Sequence, residues 1–470
     1  MQSKNIKNLQ FFKTDTMTKV IKLRKGLDIH LKGKAEKVKM KAKACNEFAL
    51  CPDCFPGVKP KVVVKEGDHV KVGDTLFVNK QFPSVGFSSP VSGNISSIVR
   101  GERRKVLQVV INSDETQQYV DFGAKDVNTL SSEEVINSLL EAGIFGYINQ
   151  LPYAISTNPE VLPKGIFISA LRDKPLACDF EFELIGNEKD FQTGLTALSK
   201  ISKTYLGIGR NQCSESLRRV DDVEVNIFDG PCPAGNVGVQ INHIDPVNKG
   251  DVVWTVDPTT VIYIGRLFNT GKINLVHTIA IAGSEVHKPC YMDVLVGQKI
   301  ESLLEGNISK DKNIRIINGN VLTGHKCSLD DYLDAHASEV TVIPEGDDVN
   351  ELFGWIMPRF NQYSVNRSYF SWLTISWLTR GKEYTLDSRI KGGKRHMIMS
   401  GEYDKVLPMN IFGEYLIKAI IVGDIDKMEA LGIYEVSPED FALPEFVDSS
   451  KLELQSIVRN GLDMLRKENA

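Results

Sequence analysis

The sequence has no long hydrophobic run and no large excess of charge of one sign. No stretch reaches the roughly 18 apolar residues that a membrane-spanning helix needs, and residues 1–16 lack the apolar core of a signal peptide. The 470 residues carry 56 Lys and Arg against 60 Asp and Glu, a net charge of -4. This balance excludes a globally basic nucleic-acid-binding protein, and we expect any membrane association to be peripheral.

Motifs for phosphate, dinucleotide and metallopeptidase chemistry are also missing. No G-x-G-x-x-G opens a helix after a strand, and there is no P-loop and no H-E-x-x-H. The eight cysteines form no evenly spaced framework, which favours a reducing cytoplasm. We predict no catalytic, cofactor-binding or metal-ligating residue in this chain.

Three cysteines do lie close together, at Cys45, Cys51 and Cys54. The last two form a C-x2-C pair, which is a natural metal chelate, but no second pair completes four ligands. We interpret them as structural cysteines, with a metal site and a redox thiol as the alternatives.

The chain is long and apolar enough for several packed domains. Apolar residues make up 42% and charged residues 25%, which suggests three or so domains. Positive charge is concentrated near the start, where residues 1–43 carry 13 Lys and Arg against three Asp and Glu. We expect residues 1–16 to be a disordered extension, with Met17 as an alternative start. The basic segment is either a solvated arm or a contact for an acidic partner or anionic membrane.

Residues 17–115 are predicted to form a barrel-sandwich hybrid domain like those of biotinyl and lipoyl carriers. The pattern VKEGDHVKVGDTLF gives two strands with turns at Gly67 and Gly73, and SPVSGNISSI repeats a strand–turn–strand about 25 residues later. Glycine permits the positive φ of such turns. Lys80 lies where a carrier displays its modified lysine. Its neighbours Asn79 and Gln81 do not match a biotinyl hairpin, so we interpret Lys80 as a surface lysine.

The rest of the chain predicts an α+β multidomain protein. A central Rossmann-like α/β domain is predicted for residues 125–263, a β-grasp domain of the soluble-ligand-binding type for 264–330, and a mixed, then helical region for 331–470. Within the α/β domain we expect helices over 131–142 and 194–204 and strands over 165–170 and 223–228.

Two unusual stretches are candidates for binding. The Gly/Pro loop over 229–238 follows a strand and can line a ligand cleft or form a rigid turn; its candidate residues are Gly230, Pro231, Pro233 and Gly235. The aromatic stretch over 370–378 is either core or a docking surface for a partner or membrane; its candidate residues are Phe370, Trp372, Leu373 and Trp377.

Several ordered motifs together resemble a known family. They are KLRKGLDIHLKG, VKEGDHVKVGDTLF, FSSPVSGNISSIVRGERR, FDGPCPAGNVGVQINHIDPV, IAIAGS and GIYEVSPEDFALPEFVDSS, in this order from about Met17 to the C-terminus. The DGPCPAG loop and the PEDFALPEFVD tail are the most specific pieces. The sequence is similar to the A subunits of the sodium-translocating NADH:quinone oxidoreductases.

This resemblance implies a peripheral subunit on the cytoplasmic side of a bacterial inner membrane. Such a protein docks on the integral membrane B subunit of a six-subunit complex, which oxidises NADH, reduces quinone and exports sodium. The FMN, FAD, riboflavin and iron–sulfur groups of the complex lie in its other subunits. The resemblance also implies that quinone is a partner of this chain, and we expect it to bind at the Gly/Pro loop.

The domain order also resembles the NADH-binding flavoprotein of respiratory complex I. Those relatives carry a glycine-rich FMN-binding stretch after an EAG helix end, where this sequence reads EAGIFGYINQLP. Close glycine spacing is missing there, and so is the relatives' iron–sulfur cysteine run. We infer a flavoprotein scaffold without its own cofactor sites. The alternatives are a stand-alone flavin- or NADH-dependent oxidoreductase and a carrier protein modified at Lys80.

Overall fold

A computed structural model of the chain describes residues 19–309, 313–347, 353, 356–360, 362–373 and 382–469. The predicted extension over 1–16 therefore lies outside the described residues. The strands, in chain order, are β1 (Lys19–Lys22), β2 (Lys39–Met40), β3 (Glu47–Leu50), β4 (Pro60–Val62), β5 (His69–Val70), β6 (Thr75–Asn79), β7 (Gly86–Ser88), β8 (Gly93–Arg100), β9 (Val106–Ser113), β10 (Asn149–Leu151), β11 (Ile155–Ser156), β12 (Ile166–Ser169), β13 (Thr204–Gly209), β14 (Glu224–Asp229), β15 (Val253–Val256), β16 (Val276–Ala282), β17 (Cys290–Leu295), β18 (Ile314–Asn318), β19 (His325–Cys327) and β20 (Glu339–Pro344).

The helices surround these strands and dominate the C-terminal part. They are α1 (Ser132–Glu141), α2 (Phe180–Leu184), α3 (Glu188–Ile201), α4 (Glu215–Arg218), α5 (Val237–Ile244), α6 (Pro258–Thr270), α7 (Ile300–Leu304), α8 (Tyr403–Val406), α9 (Gly413–Val422), α10 (Ile425–Ala430), α11 (Ala442–Val447) and α12 (Leu454–Glu468). Short 3-10 turns lie at Pro52–Cys54, Phe145–Tyr147, Phe370–Leu373 and Pro438–Phe441, among others.

Two small antiparallel sheets, β3-β9-β8-β5 and β4-β6-β7, form the barrel-sandwich part. Its two predicted turns repeat one geometry. The Asp68 carboxylate accepts the backbone N–H three residues earlier at 2.7 Å, and Asp74 does the same at 2.6 Å. Gly67 and Gly73 have φ of +88° and +101°, so both turns use the left-handed conformation that glycine allows.

The central sheet has the order β1-β14-β13-β12-β15-β10-β11. Strands β12 to β15 and β1 run parallel, while β10 is antiparallel to both of its neighbours, β15 and β11. The predicted helix over 131–142 is confirmed as α1, in which Ser131 and Glu134 form a reciprocal capping box. The predicted helix over 194–204 was misplaced: α3 begins six residues earlier, at Glu188, and Thr204 already starts β13, whose six residues are all buried.

A second large sheet, β19-β18-β20-β16-β17-β2, carries the β-grasp topology. Strands β16 and β20 pair in parallel at its centre, and α7 follows the β16–β17 hairpin. Helices α9 and α12 pack together in the C-terminal part. There Gly461 on α12 lies against Ile420, so that a Cβ would come 2.9 Å from its side chain.

The segment before the barrel-sandwich strands does not stay within one domain. Strand β1 pairs in parallel with β14 at the edge of the central sheet, and β2 pairs in parallel with β17 at the edge of the β-grasp sheet. The first residues of the predicted 17–115 segment therefore join two other sheets before the chain reaches β3.

Candidate functional site

The central sheet reverses its strand order between β12 and β15. From β12 the chain continues outward through β13 to β14, then returns to place β15 on the opposite side of β12. At such a switch point the connections leave in opposite directions, so a crevice opens beyond the carboxyl ends of the two strands. A binding site is therefore expected just after Ser169 and Val256.

A cleft of about 560 Å³ lies at this position, and all four parts of the chain line it. The α/β part contributes Asn149, Leu151 and Ala154, residues 169, 171–174 and 177 from the end of β12 onward, 235–237 at the start of α5, and 255–258 from the end of β15 onward. The other lining residues are Cys54 and Pro56 from the barrel-sandwich part, 318–320, 323–325, 334 and 336–339 from the β-grasp part, and 437–439, Gln455 and Arg459 from the C-terminal part. Because no single domain forms the cleft, it exists only when the parts are packed together.

Arg172 joins the two loops that flank the switch point. Its guanidinium contacts the Glu183 carboxylate at 2.7 Å, Asp257 at 3.3 Å and the Thr259 hydroxyl at 2.8 Å. Burial alone would lower the pKa of Arg172, but the charges of Glu183 and Asp257 raise it well above its ordinary value. The cation is thus fully neutralised and fixes the wall of the cleft rather than offering a free charge.

The next two residues attach the same loop to the remaining walls. Asp173 accepts the backbone N–H of Gly235 at 2.8 Å, and Lys174 forms an ion pair with Glu439 of the C-terminal part. Burial raises the pKa of Asp173 to about 6. This carboxyl group therefore takes up its proton near pH 6, well above the ordinary range of an aspartate.

Polar atoms without partners face this region. Among the described residues, Asn149 Oδ1, Asn236 Oδ1 and His336 Nε2 are buried and have no hydrogen-bond partner, and all three residues line the cleft. A buried polar atom left without a partner costs about 1–3 kcal/mol. Their presence on one cleft indicates a place that receives a polar group from outside the chain.

The four candidate residues of the Gly/Pro loop do not all lie at the cleft. Gly235 lines the cleft. Gly230 and Pro231 instead lie against the N-terminal segment: a Cβ on Gly230 would come 2.7 Å from Leu23, and one on Gly26 would come 2.7 Å from Pro231. Pro233 sits between them and Gly235 and is not a lining residue of the cleft. A quinone-side role for this loop remains a prediction.

The aromatic candidates lie apart from the cleft. Phe370 and Trp372 belong to a 3-10 turn and are 50% and 46% exposed. The Arg367 guanidinium lies 4.9 Å from the Trp372 ring centroid. The side chain of Leu373 and all of Trp377 lie outside the described residues, so the docking role of this stretch also remains a prediction.

The segment where complex I relatives bind FMN does not fit a flavin here. Phe145 and Tyr147 are buried side chains, and a Cβ on Gly146 would come 2.3 Å from the Phe87 ring. The backbone is therefore covered by aromatic packing against the barrel-sandwich core and cannot approach a phosphate. In the part of the chain that the structure describes, no three His, Cys, Asp or Glu side chains converge on a metal-binding geometry.

Sequence reasoning missed the charged triplet Arg172-Asp173-Lys174. The sequence contained a signal for this triplet, because three ionisable residues closely follow a short buried strand. The carboxyl ends of parallel strands commonly carry binding residues. Their partners Glu183, Asp257 and Glu439 were not predictable from spacing, since they are 11 to 265 residues away.

Family models match three successive parts of the chain. They are described as the NqrA N-terminal barrel-sandwich hybrid domain over residues 21–114, the NqrA second alpha/beta domain over 130–273 and the NQRA C-terminal domain over 278–328. The predicted fold class, including the barrel-sandwich, α/β and soluble-ligand-binding β-grasp parts, is confirmed by these matches.

Full-length relatives agree with the domain matches. The Na(+)-translocating NADH-quinone reductase A subunits of Haemophilus influenzae strain PittGG, Neisseria meningitidis serogroup A and Yersinia pestis bv. Antiqua are 36%, 35% and 34% identical. Each alignment covers 96% of this chain and 100% of the relative. A chain of an NAD+-reducing [NiFe]-hydrogenase superposes with a TM-score of 0.32 and 12% identity over 46% of this chain and 50% of that chain, too low to establish a shared fold. The chain therefore belongs to the family of the A subunits of the Na(+)-translocating NADH-quinone reductases.

Proposed function

We propose that this chain is the peripheral A subunit of a sodium-pumping, six-subunit NADH:quinone reductase. It docks from the cytoplasmic side of a bacterial inner membrane on the integral membrane B subunit. The observation that carries the proposal is the match to relatives of that name along their whole length. Within the described residues, no helix is both long and apolar enough to cross a bilayer.

The chemistry of electron transfer belongs to the other subunits in this proposal. FMN, FAD, riboflavin and iron–sulfur groups carry the electrons there, while this chain supports reduction of quinone. In this proposal, quinone contacts the edge of the cleft at Gly235. Next to it, Asp173 and Asp440 exchange protons at a higher pH than ordinary aspartates, because burial raises both of their pKa values to about 6.

The exposed aromatic turn is proposed as a contact with the B subunit or with the membrane interface. Phe370 and Trp372 are each about half exposed, so two large aromatic side chains lie at this surface. Aromatic residues of this kind are enriched at protein–protein interfaces and at the membrane interface. The cation–π contact with Arg367 holds the Trp372 ring at the surface.

Co-purification tests the proposal. The chain is tagged in its native host, membranes are solubilised mildly, and the recovered proteins are identified. We expect an integral membrane flavoprotein partner and NADH:quinone activity that sodium stimulates. Recovery of a lone soluble protein with a flavin absorption spectrum would contradict the proposal and support the stand-alone oxidoreductase.

A further inference from the structure

A pair of thiols lies at the rim of the cleft, on the turn that follows β3. Cys51 precedes the 3-10 turn Pro52–Cys54, and the backbone N–H of Cys54 donates to the Cys51 carbonyl at 3.1 Å. A turn closed in this way keeps its end α-carbons within about 7 Å. A disulfide needs α-carbons about 4.4–6.8 Å apart, so the backbone already holds the two cysteines at bonding range.

Both cysteines are free and half-buried, and they differ in their surroundings. The hydrogen bond to Cys51, burial and the charge of Asp334 raise the pKa of Cys54 well above its ordinary value. Cys54 lines the cleft and donates to Asp334, whereas Cys51 lies outside the cleft lining, which makes Cys51 the thiol that meets a reagent first.

A carboxylate and an imidazole lead from the half-buried Cys54 thiol towards solvent. The Cys54 thiol donates to Asp334 Oδ1 at 3.3 Å, and Asp334 Oδ2 lies 3.3 Å from His325 Nδ1. Burial raises the pKa of Asp334, while the side chain of His325 is 61% exposed. The β-grasp part thus places a proton acceptor and an exit to water beside a thiol 280 residues away in sequence.

We propose that Cys51 and Cys54 form a reversible disulfide by exchange with a small-molecule disulfide. The Cys51 thiolate attacks the reagent, forms a mixed disulfide and releases one reagent thiol. Cys54 then attacks the Cys51 sulfur and releases the second reagent thiol, and its proton passes to Asp334 and on through His325. The two cysteines lose two electrons and two protons, and the reagent disulfide gains both.

The position of the pair gives the reaction a consequence for the cleft. Cys54 lines the cleft, and its thiol is the hydrogen-bond donor to Asp334. The disulfide removes that donor, so Asp334 loses its partner on the side of the barrel-sandwich part. The oxidation state of the pair thereby alters the polar lining near His336, independently of the proposed role in the complex.

The test incubates the purified full chain with reduced and oxidised glutathione at graded ratios, followed by acid quenching, alkylation and mass spectrometry. We expect a species lighter by two hydrogen atoms whose peptide map joins Cys51 to Cys54. Cys54→Ser should stop at a stable glutathione adduct on Cys51, and Cys51→Ser should form neither product at this turn. Cys213→Ser removes an exposed cysteine elsewhere and should behave like the native chain.

The role of Asp334 is tested by the lifetime of the mixed disulfide. Asp334→Asn should slow ring closure by at least about tenfold, since it removes the proton acceptor, while Asp330→Asn, on an 89% exposed neighbour, should leave the rate unchanged. A Cys51–Cys54 link that never forms at any glutathione ratio would overturn the proposal. A disulfide between Cys45 and either of these two cysteines, in place of the Cys51–Cys54 link, would also overturn the proposal.

Discussion

Arg172 and Asp257 face each other across the switch point of the central sheet, at 3.3 Å. Arg172 follows β12 and Asp257 follows β15, and neither strand neighbours the other in sequence. Asp257 is also the N-cap of α6, where its carboxylate accepts the backbone N–H of Thr259. One carboxylate therefore starts a helix and fixes the cation that shapes the cleft.

Replacing Arg172 should destabilise the chain strongly. Arg172→Met leaves the Glu183 carboxylate, which is 1% exposed, without its charge partner. Loss of one member of a buried pair costs about 3–5 kcal/mol of unfolding free energy. Denaturant unfolding measures this. The control is Arg210→Gln, which breaks an ion pair whose Arg side chain is 62% exposed and should cost less than about 1 kcal/mol. Equal losses of stability in both variants would contradict the role of Arg172 as the buried charge partner of Glu183.

Gly265 marks the closest contact between α6 and α3. A Cβ there would lie 1.7 Å from the Asp190 carbonyl oxygen, which belongs to the backbone and cannot move away alone. Gly265→Ala should therefore lower the free energy of unfolding by about 1–3 kcal/mol or more through overpacking. Gly393→Ala is the matched control, because nothing lies within 4 Å of its Cβ position. An unchanged free energy of unfolding in Gly265→Ala would mean that the two helices are less tightly packed.

Asp440 should make the stability depend on pH. Burial and the charge of Glu439 raise its folded-state pKa to about 6, against about 3.9 in the unfolded chain. Between these values the folded state binds more protons, so the free energy of unfolding falls as the pH rises. Asp440→Asn removes this dependence. Relative to the native chain, the variant should gain about 2–3 kcal/mol between pH 4 and pH 7.

A control for this pH dependence has the opposite sign. The pKa of Asp424 is lowered by its hydrogen bonds with Lys427, so Asp424 contributes stability that disappears as the pH falls. The native chain should therefore lose its advantage over Asp424→Asn on acidification. Parallel pH profiles for both variants would show that the folded-state pKa of Asp440 is not raised.

The quinone-side proposal predicts altered kinetics for the Gly/Pro loop. Pro231→Ala combined with Pro233→Ala frees the loop that ends at Gly235, so the KM for quinone in the assembled complex should rise at least about fivefold. The exposed Pro83 gives the control Pro83→Ala in the barrel-sandwich part. Native quinone kinetics in the double variant would refute a quinone role for this loop.

The docking proposal predicts loss of assembly without loss of folding. Phe370→Ala combined with Trp372→Ala should reduce recovery of the membrane partner in co-purification, with unchanged thermal unfolding, because both side chains are exposed. Ile185→Ala is the control, because it removes another large side chain, 62% exposed, at the end of α2 in the α/β part. Equal recovery with both variants would place the interface elsewhere.

Local signals account for most of the elements that were predicted correctly. The capping box at Ser131 and the glycine turns at Gly67 and Gly73 each depend on neighbours within a few residues. The helix over 194–204 was misplaced because its first turn carries charged residues, Glu188 and Asp190, which mask the apolar period. The PEDFALPEFVD tail also has a structural basis: Asp440 accepts hydrogen bonds from Ser437 and from Asn236 of the cleft.

The sequence by itself determined the family, the order of the domains and local elements such as the helix at Ser131 and the turns at Gly67 and Gly73, since these depend on motif order and local periodicity. Only the tertiary structure decided that β1 and β2 extend the sheets of other domains, that Gly235 is the one of the four Gly/Pro-loop candidates that lines the cleft, and that Cys54 contacts Asp334. These contacts join residues as much as 280 positions apart. No local pattern encodes them, because they arise when several buried faces pack against one another at once.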